Sequence, residues 1–157
     1  MKKNVIFLLL MVATLSLYAK TPNSDNVDPV VEAKFKKEFS PSVKVSWQLI
    51  RDVSIATFTE QGEEKQVYYD NDGEVFGIGK FINRDLLPET VGRSINTRFN
   101  SGVIQNAYEF KSKGSPVRYY VRLVTQHFSM IVSATEFGDV TVDQKERFKR
   151  LHPLIAI

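Results

Sequence analysis

The sequence predicts an α+β fold of tandem duplicated α-β4 units, an antiparallel sheet with helices packed on one face. Three observations predict it. Val31, Phe35 and Phe39 recur 60 residues later as Val91, Ile95 and Phe99. Each of these helical stripes is followed by short segments that alternate apolar and polar residues. Asp72-Gly73-Glu74-Val75 is echoed 65 residues on by Phe137-Gly138-Asp139-Val140.

Residues 1–19 precede the first unit. Lys2 and Lys3 lead an apolar run from Val5 to Leu17, and Ala19 suits the position before a cleavage point. This is the layout of a secretory signal peptide, and the run is short for a membrane span. No cysteine follows it, so no lipid anchor is expected after cleavage. Residues 20–28 are polar and read as a flexible leader.

The first unit, 29–84, opens on a helix. Asp28 suits the N-cap and Pro29 the first turn, and the helix ends before Pro41. In residues 43–50, Val43, Val45, Trp47 and Leu49 alternate with Lys44, Ser46 and Gln48, as in a half-buried strand. Short turns at Arg51-Asp52, at Gln61 to Glu64 and at Asn71 to Gly73 divide off strands 53–60, 65–70 and 74–82.

The second unit, 85–142, repeats that order. Residues 86–99 form a helix with Pro88 in its first turn, and Gly102 suits a left-handed position beyond it. Strands 103–110, 117–125 and 128–136 follow. The residues 143–157 form a C-terminal tail, with a short helix expected and a mostly apolar end. Two units of under 60 residues would each be marginal as separate domains without disulfides, so one joined sheet is expected.

Composition narrows function. Removing Lys2 and Lys3 lowers 21 basic residues to 19, against 18 acidic, a net charge of +1. Nucleic acid therefore loses its electrostatic basis as a partner. The chain has no cysteine, which removes thiol chemistry and thiolate metal sites.

The order of features resembles a family. A signal peptide leads to a helix ending Phe-Lys-Lys-Glu-Phe, then a Val-x-Trp strand, Tyr-Tyr-Asp-Asn-Asp-Gly, and a Leu-Pro-x-x-Val helix start. Over residues 29–142 this is similar to the PepSY-like, β-lactamase-inhibitor-like (BLIP-like) proteins exported by bacteria of the Bacteroidetes type. The resemblance implies duplicated α+β units and a protein-binding or inhibitory role outside the cytoplasm.

Candidate chemistry is sparse. Placing Gly73 at the sixth position of a calcium loop puts Tyr68 first and Gly79 twelfth, and neither can be a side-chain ligand there. Asn71-Asp72-Gly73 suits a hairpin turn instead. His127 and His152 lack metal-ligand spacing. Neither a nucleophile motif nor a dinucleotide fingerprint is present, since no helix follows Gly77-Ile78-Gly79. The consecutive tyrosines at 68–69 and 119–120 must point to opposite faces of the sheet. One of each pair is expected on a face left open by the helices.

The expectation is a non-catalytic protein-binding module, inhibitor-like, periplasmic or secreted, with no cofactor and no metal. Its partner is an unidentified protein of the envelope or beyond. Tyr69, Asp70, Asp72, Glu74, Arg118, Tyr120 and Arg122 are the candidate contact residues. A small-ligand or calcium-responsive periplasmic protein is the second expectation.

Overall fold

The computed structural model describes residues 27–39 and 43–148. The proposed signal peptide, most of the leader and residues 149–157, with His152, lie outside them. Helix α1 is Pro29–Phe39. Strands β1 Val45–Ile50, β2 Val53–Glu60, β3 Glu63–Tyr69 and β4 Val75–Ile82 follow. A 3-10 turn, Arg84–Leu86, leads to α2, Glu89–Arg98. Then come β5 Val103–Ser112, β6 Arg118–Val124, β7 Phe128–Thr135 and β8 Val140–Arg147.

All eight strands belong to one sheet, antiparallel throughout, in the order β1 to β8. The α+β class is corrected by this arrangement. Among the described residues, two helices of 11 and 10 residues against eight strands make the fold mostly β. Of the tail 143–157, in which a short helix is expected, residues 143–147 are strand instead, and 149–157 lie outside the described residues. Asp143 to Arg147 extend β8, with Gln144 to Arg147 paired to Phe128 to Ile131 of β7 and Asp143 in the bulge between.

Both helices lie on one face. Alternation along paired strands puts Trp47, Ala56, Val67 and, across the middle of the sheet, Ala107 and Val121 on a common side. Helix α1 seats Val31 and Phe35 there, among Trp47, Ala56, Phe58, Val67 and Tyr69. Helix α2 seats Val91 and Ile95 among Val121, Leu123, Met130 and Val132. Burying each large side chain of these clusters contributes ~1.5–3 kcal/mol. Asp28 caps α1 as expected, its Oδ1 accepting from Val30 N at 2.8 Å. The opposite side, the far face, carries no helix among the described residues.

Candidate functional site

The far face has its own apolar cluster, made of Val53, Ile55, Tyr68, Tyr108, Phe110 and Ile131. Among the described residues no helix covers it, and rings laid across neighbouring strands pack over one another there. Glycine makes that possible. A Cβ on Gly77 would sit 2.2 Å from Phe110 Cζ, and one on Gly79 would sit 2.3 Å from the Tyr108 hydroxyl. Gly77-Ile78-Gly79 is therefore a bed for two aromatic rings. Phe81, on the same strand face, packs edge-on to Tyr108 at 4.9 Å and stays 36% exposed.

Three polar side chains meet inside this cluster. The Tyr68 and Tyr108 hydroxyls lie 2.7 Å apart, and each reaches Gln66 Oε1, at 2.9 and 2.7 Å. Gln66 Nε2 donates on to Thr57 Oγ1 at 3.4 Å. Burial pushes both phenols well above their ordinary range. They remain protonated at neutral pH and can donate within this network.

Beside the rings runs a charged row. Arg118, Tyr120 and Arg122 alternate on β6 and so share the far face. Burial raises Tyr120 to about 12, with Arg118 pulling its pKa down and Asp143 pushing it up. Arg122 reaches Ser129 Oγ at 3.4 Å, while its buried Nε has no acceptor among the described residues. Asp143 enters through a bulge where β8 slips against Ile131 and Val132. Burial raises its pKa, opposed by a hydrogen bond from Ser133 and by the Arg118 charge.

The structure divides the sequence-based candidates. Arg118, Tyr120 and Arg122 come together on the far face. Tyr69 does not. It is fully buried under α1, within 6.0 Å of Trp47 by ring centroid, and is corrected from a contact residue to a core residue. Tyr68 takes the far-face place instead. The alternation of Val67 with Tyr69 carries the signal, since Val67 marks the apolar line beneath the helix.

Asp70, Asp72 and Glu74 form the β3–β4 tip. Asp70 Oδ1 accepts from Asp72 N at 3.1 Å and Glu74 N at 2.9 Å. Lys34 of α1 then donates to Asp72 O at 3.0 Å and to Glu74 Oε1 at 2.6 Å. The Lys34 hydrogen bond and charge hold the Glu74 carboxyl below its usual range. The Lys34 ammonium thus already engages the Glu74 carboxylate and the Asp72 carbonyl at this tip. The tip leans toward the helix side and does not join the Arg–Tyr row. Among the described residues no group of three or more His, Cys, Asp or Glu side chains could hold a metal. His127 is exposed in its turn.

Gln66, Tyr108, Phe110, Ser133 and Asp143 of the far face are not among the candidate contact residues of the sequence analysis. The glycine pair was the available signal for the two rings. Nothing local signals Asp143, because its place depends on the bulge.

No family model matches the chain. No curated protein matches it. Among solved structures it is similar to a DUF2874 family protein from Bacteroides uniformis, with a TM-score of 0.67 and 17% identity, over 77% of this chain and 89% of that one. A candidate periplasmic protein from Bacteroides eggerthii gives 0.67 and 17%, over 77% and 88%. A BLIP-like protein from Bacteroides fragilis gives 0.62 and 15%, over 87% and 95%. At these identities the likeness is one of fold, and the chain has a BLIP-like fold.

Proposed function

We propose that this chain is an exported, non-catalytic protein-binding module, inhibitor-like in the way it presents a sheet face, and kin to the PepSY-like proteins. The carrying observation is the far face. Both described helices lie on the other side, and this one carries Arg118, Tyr120 and Arg122 on β6 and the partly exposed ring of Phe81 on β4, with Tyr108 between them. Tyr and Arg are the side chains that dominate binding energy at protein interfaces. A rigid bed of hydrogen-bonded tyrosines beneath them limits the entropy lost on association. The similarity to a candidate periplasmic protein supports a place outside the cytoplasm. Among the described residues no helix is long and apolar enough to cross a membrane.

The test is affinity for a protein captured from envelope extract, measured by titration with the purified partner. Arg118→Ala alone, and Tyr120→Ala with Arg122→Ala, should weaken binding by about tenfold or more. Lys37→Ala, on exposed α1 surface, should leave it unchanged. Unaltered affinity in both far-face variants would remove this surface as the binding site.

A further inference from the structure

We infer that strand β1 is a self-complementary edge through which two copies of this chain pair, joining their sheets into one. The two edges of the sheet are unlike. β8 is guarded by its bulge and by Asp143, Lys145, Glu146 and Arg147. Such features block strand addition. β1 has none of them. Its sequence VSWQLI contains no charge and no proline, and its register with β2 runs unbroken from Val45 to Ile50. Among the described residues nothing pairs with its outer side.

The backbone pattern fixes which groups are available. Ile50 and Val53 flank the two-residue turn Arg51-Asp52, so they exchange both backbone hydrogen bonds. Alternation then points the N–H and C=O of Ser46, Gln48 and Ile50 at β2. Those of Val45, Trp47 and Leu49 point outward. These three residues are symmetric about Trp47.

A second copy laid antiparallel about Trp47 sets Trp47 against its own counterpart and Val45 against the partner's Leu49. Each of these facing pairs can exchange two backbone hydrogen bonds, so every outward group of the strand is satisfied. The side chains agree with the same register. Apolar Val45 meets Leu49, which is 48% exposed in the single chain, and polar Ser46 meets Gln48 on the other face. The buried Trp47 Nε1, which has no acceptor among the described residues, lies at the centre.

This match of backbone and polarity about one residue selects a second copy over an unrelated strand. The unlike edges favour a closed two-fold pair over a head-to-tail fibre. Pairing through β1 does not cover Arg118, Tyr120 and Arg122 on β6, so the inference stands apart from the far-face reading.

Sedimentation equilibrium over a wide concentration range tests it. The wild-type chain should show a monomer–dimer equilibrium. Leu49→Lys should abolish the dimer while keeping the melting temperature, since Leu49 is half exposed. The cysteine-free chain also permits a register test. Ser46→Cys mixed with Gln48→Cys should form a disulfide-linked heterodimer on mild oxidation, more readily than either variant with itself. A wild-type chain monomeric at every concentration would overturn the proposal. So would a dimer that persists in Leu49→Lys, or Ser46→Cys linking to itself as fast as to Gln48→Cys.

Discussion

Gly79 is the residue on which the far face most depends. Its missing side chain is the space in which the Tyr108 ring lies. Gly79→Ala forces that ring off its bed and breaks the contact with Gln66, and should cost about 1–3 kcal/mol in chemical denaturation. Ile78 is exposed next to it, and Ile78→Ala should cost far less, which separates steric conflict from strand propensity. The tyrosines predict a pH dependence of definite sign. A phenol raised in the folded state keeps its proton when the unfolded chain has already lost it. The folded state then binds more protons, so stability falls as pH rises. The fall should begin near the ordinary value of 10.0 and, for Tyr120, end near about 12. Tyr120→Phe should remove its share of that fall in melting curves taken from neutral to alkaline pH. An equally steep fall in the variant would show that Tyr120 is not in the buried setting described here.

Among the elements, the two glycine-bearing tips show how each helix is tied to the sheet. Gly73 N donates to Asp70 O at 3.0 Å, and Gly138 N to Thr135 O at 2.9 Å, so the turns close alike. Lys34 meets the first tip, and Thr90 Oγ1 meets the second at Glu136 O, 2.6 Å away. The steric margins differ. Gly138 has φ +90, and a Cβ there would lie 2.6 Å from Ser94 Oγ and 3.0 Å from Thr90 O. Gly73 has φ +69, and its nearest atom is the flexible Lys34 Cδ at 3.4 Å. Gly138→Ala should therefore cost about 2–3 kcal/mol and Gly73→Ala about 1 kcal/mol, read from urea midpoints. Similar costs at both sites would mean that α2 does not sit on its tip as described. Much at this scale was legible beforehand. Helix stripes at a spacing of four, alternation in β1 and glycine turns all report local physics. Three things were not. The parity that buries Tyr69 and leaves Tyr68 on the far face depends on which line of side chains the helix covers. The slip that brings in Asp143 is set by pairing between β7 and β8. Charged residues from 143 onward read as a tail because an edge strand needs no apolar side chains.

At the scale of the molecule, the described residues form one antiparallel sheet with two short helices on one side, and that asymmetry is the basis of the functional reading. Counting a helix in each repeat suggested a balance of helix and strand, but the strands are more numerous and hold both cores. One face is closed by α1 and α2. The other has no helix among the described residues and offers an Arg–Tyr row on β6 and, across Tyr108, the Phe81 ring on β4. The central claim is that a protein partner docks on that second face. Hydroxyl-radical footprinting of the complex with a captured envelope protein tests it most directly. The account predicts protection of Tyr120 and Phe81, with Val30 of α1 as reactive as in the free chain. Protection at Val30 and along the helices, with Tyr120 and Phe81 unchanged, would contradict it.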